Sequence, residues 1–206
     1  MIDVPCLYPI TDRRLAGDRS HAAIVSLLCR GGATLIQVRE KHMQDADLIE
    51  AARAAVVEAR ASGARIIVND RADVAALAGA AGVHLGDEDL PPADARGILG
   101  PAAIIGRSTH TVQEAIAAAQ EPVDYIALGP IFDTSHAGIR RPALGLAALA
   151  EAARGISLPL VAIGGFDVAR ARQALDAGAA GVAVLGDLMT APDIPERTAA
   201  YLALRG

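Results

Sequence analysis

The sequence predicts an α/β protein built as a single parallel (β/α)₈ barrel, and three observations carry that expectation. Short β-branched, apolar runs alternate with alanine-rich helical stretches eight times along the chain. Polar and glycine residues gather at the ends of those runs. At 206 residues, the chain is long enough for one domain with a full core. Residues 1–206 are therefore expected to form one barrel domain near the lower size limit of this fold.

The expected strands are Leu7–Thr11, Thr34–Val38, Arg65–Asn69, Gly82–His84, Ala103–Gly106, Tyr125–Leu128, Leu160–Ile163 and Gly181–Val184. Segments such as Asp45–Ala61, Val112–Ala119 and Val168–Ala177 carry apolar residues at helical spacing. Gly31-Gly32, Gly63, Gly82 and Gly178 mark helix-to-strand joints, where a C-cap needs a left-handed residue. A doubly wound open sheet is the main rival. It would need fewer strands, and no GxGxxG follows the first one.

Composition excludes several classes. Hydrophobic residues make up 52% of the chain, yet no apolar run reaches a membrane span. The first residues carry no charged region, apolar stretch and cleavage site in succession, so a cytoplasmic protein is expected. A net charge of -5 argues against nucleic-acid binding, which favours a basic face. Cys6 and Cys29 form no CxxC and read as reduced apolar filler. Lys41 is the only lysine in the chain, which singles out one compact, mobile ammonium. The oligomeric state is not legible.

Site residues are sought where the strands end, because barrels of this class place their chemistry at the carboxyl-terminal mouth. Strand two ends Gln37-Val38-Arg39-Glu40-Lys41. Alternation puts Gln37, Arg39 and Lys41 on one face and Ile36 and Val38 on the other. Two cations at a barrel mouth call for an anion, since an unpaired buried charge is costly; the plainer reading is a solvated strand end with Glu40 as their partner. Asn69-Asp70-Arg71 follows strand three and also suits a helix cap. Gly86-Asp87-Glu88-Asp89 follows strand four. One of its acids joined to Asp70 would suit Mg²⁺, which takes few carboxylates along with water and substrate phosphate. Ser108, Thr109 and His110 follow strand five, where a hydroxyl could donate to a substrate or cap the next helix. The longest irregular stretch runs from Gly129 to Pro142, a length typical of lids. Glycine turns at Gly164-Gly165 and Leu185-Gly186 follow strands seven and eight, the usual phosphate position in this fold. Two anion sites are thus expected to face each other, as an enzyme joining two phosphorylated molecules would need.

These stretches, together with Tyr8-Pro9-Ile10-Thr11-Asp12, Gly82-Val83-His84-Leu85 and Gly129-Pro130-Ile131-Phe132, resemble the thiamine-phosphate synthase family over nearly the whole chain. The resemblance implies a transfer reaction. Hydroxymethylpyrimidine diphosphate and a thiazole phosphate give thiamine phosphate and pyrophosphate, by a dissociative path in which pyrophosphate leaves before the thiazole nitrogen attacks. It implies that Gln37, Arg39, Glu40, Lys41 and Asn69 contact the pyrimidine diphosphate and that Asp70 and Asp89 bind Mg²⁺. Ser108 and His110 would meet substrate. Thr134, Ser135, His136, Gly164, Gly165, Leu185 and Gly186 would hold the thiazole phosphate. Arg39, Lys41 and Ser108 would carry the chemistry.

One departure stands out. The family has Thr-x-Thr-Lys after strand six, where this chain has Thr134-Ser135-His136-Ala137. Arg140 or Arg141 is expected to replace the missing lysine. Three other readings stay open. A related thiazole tautomerase would need no Mg²⁺ and could use His110 as proton carrier. A non-catalytic barrel would bind a thiamine precursor without turnover. Schiff-base chemistry has Lys41 as its one candidate amine. The five histidines form no zinc motif.

Overall fold

The computed structural model describes residues 2–134 and 142–205. Eight strands alternate with helices in the expected order. They are β1 (Leu7–Pro9), β2 (Leu35–Val38), β3 (Arg65–Asn69), β4 (Gly82–Leu85), β5 (Ile104–Thr109), β6 (Tyr125–Leu128), β7 (Leu160–Ile163) and β8 (Gly181–Val184). All neighbours pair in parallel, β8 returning beside β1. The seam between β1 and β2 is a single parallel bridge, Ile10 to Gln37. There the Thr11 N–H donates to the Gln37 carbonyl at 2.9 Å. The barrel prediction therefore holds.

The helices are α1 (His21–Arg30), α2 (Asp45–Arg60), α3 (Ala72–Ala78), α4 (Pro92–Leu99), α5 (Val112–Ala118), α6 (Gly145–Gly155), α7 (Val168–Asp176), α8 (Gly186–Met189) and α9 (Ile194–Leu202). None is long and apolar enough to cross a membrane.

Strand alternation splits the core in two. Ile36, Val38, Ile66, Val68, Ile126, Leu128, Val182 and Val184 face outward, into the layer between strands and helices. Tyr8, Leu35, Ile67, Ile104, Tyr125, Ala127, Val161 and Ala183 fill the barrel interior. The small side chains of Ala127 and Ala183 lie near the mouth, where they leave room for a cavity.

Several local expectations change. Strand β5 runs three residues further than the β-branched run suggests, because it pairs with β6 up to Thr109 opposite Leu128. Helix α5 is capped by Thr111, whose side chain accepts from the Glu114 N–H, and not by Ser108 or Thr109. Asn69-Asp70 caps nothing: Arg71 is the residue before α3 and makes no side-chain cap. Gly32, Gly63 and Gly178 are left-handed as expected. Gly82 is needed for space instead, since a Cβ there would lie 1.8 Å from the Ile104 carbonyl oxygen. Gly31 keeps a right-handed conformation and lets α1 approach Thr198 of α9.

Candidate active site

A cavity of about 480 Å³ opens at the carboxyl-terminal mouth, within the size range of small-molecule sites. Gln37, Arg39, Asn69, Ser108, His110, Thr134, Gly164, Gly165, Leu185 and Gly186, all sought from sequence, line it. Lys41, Asp70 and Asp89 stand beside it without lining it. Ser135, His136, Ala137, Arg140 and Arg141 lie outside the described residues.

One side of the mouth is charged. Strand alternation points Gln37 inward, where it is 2% exposed. Arg39 follows on the same face, its guanidinium 3.8 Å from Asp12. The Lys41 ammonium donates to Asp70 at 2.5 Å. Asp89 accepts from the Gly86 N–H at 2.6 Å, and Asp70 is its acidic neighbour. Burial first, and then the neighbouring Asp70, push the Asp89 carboxyl above its ordinary range. The loop carrying Asp89 is braced by Arg107, whose guanidinium donates to the Gly86 carbonyl at 2.5 Å.

Asp70 adopts φ 66°, the left-handed region that a non-glycine residue enters at a cost. Its N–H donates to the His84 carbonyl at 2.7 Å, which holds it there. Asp70→Gly is thus expected to raise stability by about 1 kcal/mol while removing a carboxylate from the mouth. Urea unfolding beside an activity assay checks this; a less stable variant would contradict it.

Glu40 sits differently from its neighbours. It does not line the cavity, and it pairs with neither Arg39 nor Lys41. Its Oε1 accepts from the Lys41 and His42 N–H groups, each at 2.9 Å. Its Oε2 lies 3.4 Å from the buried His21 ring. The other nitrogen of His21 meets Thr11 Oγ1 at 2.8 Å, and that hydroxyl accepts from the Arg39 N–H at 3.2 Å. Glu40, His21 and Thr11 therefore brace the strand tip that presents Arg39 and Lys41.

The other side, among the described residues, presents a backbone turn with Arg170 beside it. Gly164 and Gly165 have φ 103° and 72°, and a Cβ on either would fall within 2.7 Å of Pro130 or Asp133. Only glycine fits both requirements. The short helix α8 begins at Gly186, beside this turn. Arg170 of α7 also lines the cavity. Its guanidinium donates to the Gly165 carbonyl at 2.8 Å and lies 5.0 Å from the Phe132 ring centroid. Sequence reasoning missed Arg170 because it reads as the polar face of an amphipathic helix. Asp187 lines the cavity as well, but its carboxylate accepts from Tyr201 Oη at 2.8 Å.

The floor holds residues that no motif singled out for a role. Tyr8, Tyr125 and His84 are buried and mutually bonded. Burial lowers the His84 pKa to about 4, so the ring is neutral near pH 7. Burial likewise keeps both phenols protonated.

The family model described as thiamine monophosphate synthase matches residues 7–188. The chain belongs to this family. Thiamine-phosphate synthase of Azorhizobium caulinodans is 45% identical over 92% of this chain and 90% of its own length. That of Methanoculleus marisnigri is 45% identical over 97% of this chain and 93% of its own. The solved thiamine phosphate pyrophosphorylase from Pyrococcus furiosus superposes with a TM-score of 0.88 at 35% identity, covering 96% of this chain and 94% of that one. The matched span takes in every element of the thiamine monophosphate synthase barrel up to α8, and with it both sides of the mouth.

Proposed function

We propose that this chain couples 4-amino-5-hydroxymethyl-2-methylpyrimidine diphosphate to a thiazole phosphate, releasing pyrophosphate and thiamine phosphate. One observation carries the reading: a single cavity is lined by Arg39, with the Lys41–Asp70 pair beside it, and also by a glycine turn with its own arginine. A diphosphate suits the first and a monophosphate the second. The names of the curated relatives favour this reading over a tautomerase.

Arg39 and Lys41 would bind the diphosphate, Arg39 with its fork and Lys41 as a mobile point charge. When the methylene C–O bond breaks, both electrons leave with pyrophosphate, and negative charge grows on that group. Fixed cations then stabilise the transition state more than the ground state. The thiazole nitrogen attacks the pyrimidine methylene carbon and becomes the thiazolium of the product. No protein base is needed for this step. Gly164, Gly165 and the turn at Gly186 would hold the thiazole phosphate through backbone N–H groups, with Arg170 alongside.

Asp70 and Asp89 fit Mg²⁺. Two neighbouring carboxylates repel unless a cation stands by, and Lys41 supplies that cation to Asp70. Among the described residues no cluster of three or more metal-ligating side chains occurs. Two carboxylates completed by water and substrate phosphate suit this ion. Bound there, it would neutralise charge on the departing diphosphate.

Two free cysteines suit a reducing, cytoplasmic setting. The test is an assay of the purified chain with both substrates and Mg²⁺. Thiamine phosphate and pyrophosphate are expected in equal amounts, and EDTA should stop their formation. Isomerisation of thiazole phosphate alone, unaffected by EDTA, would replace this reading with the tautomerase one.

A further inference from the structure

A chain of hydrogen bonds crosses the cavity floor. Gln37 Nε2 donates to Tyr8 Oη at 3.2 Å. Tyr8 Oη lies 2.9 Å from Tyr125 Oη. Tyr125 Oη lies 2.9 Å from His84 Nδ1, and His84 Nε2 lies 2.9 Å from Ser108 Oγ. The two end residues line the cavity, while the central phenol of Tyr125 lies beneath it.

Each buried group needs a partner, and this fixes the direction of the chain. Tyr8 Oη already accepts from Gln37, so its own proton goes to Tyr125. Tyr125 then donates to His84 Nδ1. A neutral ring with an accepting Nδ1 carries its proton on Nε2 and donates to Ser108 Oγ. In the opposite sense Tyr8 Oη would accept twice and its own proton would lack a partner. Two consequences reach the cavity. One N–H of the Gln37 amide is committed to Tyr8, and its carbonyl oxygen remains an acceptor. Ser108 Oγ accepts from His84, which leaves its own hydroxyl proton to donate.

We infer that Tyr8, Tyr125 and His84 are positioning residues that set this polarity, so that the site selects a ring edge offering a donor to Gln37 and an acceptor to Ser108. An aminopyrimidine edge, with an amino group beside a ring nitrogen, has that pattern. The corresponding oxo-pyrimidine, with a carbonyl beside a ring N–H, has it reversed. The inference rests on the coupling reaction proposed above. A second feature of the fold supports it. Gly106 of β5 makes room for the central phenol: a Cβ there would lie 2.1 Å from Tyr125 Cζ and 2.3 Å from its Oη. The Tyr125 ring is held edge-on to Tyr8 and stacked on His84, with centroids 5.7 and 5.6 Å apart.

Tyr125→Phe breaks the chain at its middle and keeps both ring contacts. It is expected to lower kcat/KM for the aminopyrimidine diphosphate about tenfold. The KM for thiazole phosphate should stay within about twofold. Preference for the amino over the oxo substrate should fall by about the same tenfold, a change that mere loosening of the barrel would not produce. Unchanged kinetics and unchanged preference in a folded variant would overturn the inference. Tyr8→Phe gives a second break with the same expectation. Should either variant fail to fold, ¹⁵N NMR of the His84 ring in the native chain decides: the Nε2–H tautomer is expected, and Nδ1–H overturns the polarity. That spectrum needs no turnover, so failure of the coupling reaction in the native chain is seen separately from failure of the relay.

Discussion

Arg39→Ala is expected to lower kcat/KM for coupling by about 10²–10³-fold, as loss of one preorganised donor to a developing oxyanion does. The guanidinium stands at the mouth with 23% of its side chain exposed. Its nearest carboxylate, Asp12, is 3.8 Å away, a distance that leaves its donors available to a substrate. The position itself is fixed from behind, through the Arg39 N–H on Thr11 and the His21–Glu40 pair. Removing the side chain should therefore spare the fold, and unfolding midpoints should hardly move. Arg39→Lys keeps the charge but not the fork, so an intermediate loss is expected. Steady-state kinetics in the pyrimidine diphosphate measures both. An alanine variant within threefold of the native rate would mean that the diphosphate binds elsewhere.

Mild acid is expected to destabilise the fold by about 3 kcal/mol through His84 alone. Burial lowers this ring from 6.5 to about 4. Above pH 6.5 the ring is neutral folded and unfolded, so it contributes no pH dependence. As the pH falls below 6.5 the unfolded chain takes up a proton that the folded chain refuses. Stability then falls by up to about 1.4 kcal/mol per pH unit. Near pH 4 the folded ring also titrates and the loss levels off. His21, lowered by its own burial, acts in the same sense. A loss of this size is a large share of a typical domain's stability. Urea midpoints measured from pH 7.5 to 4 should show it, and His84→Asn should flatten the profile. Equal slopes in both proteins would contradict the burial argument.

Much of the fold could be read from the chain itself. A β-strand buried on both faces must be apolar throughout, and runs such as Ile66-Ile67-Val68 and Tyr125-Ile126-Ala127-Leu128 have no other use in a chain of this length. Their ends were less legible. The extension of β5 to Thr109 follows from pairing with β6, which propensity does not register. The cavity's lining residues were accessible because they follow strands directly. Arg170 was not, since its neighbours along the chain give a helix face and only its packing on Phe132 and Gly165 brings it to the mouth.

The sequence by itself determined the eight parallel strands and the end of the barrel where polar groups collect, because both follow from short-range patterns of apolar and turn residues. Tertiary structure decided what each polar residue does there. Gln37 and Glu40 lie three positions apart, yet one lines the cavity and the other braces the strand from behind. Tyr8 and Tyr125 are 117 residues apart and share a hydrogen bond. Such partnerships depend on strand register and on closure at the Ile10–Gln37 seam, which bring distant residues within bonding distance. Local pattern carries no record of either.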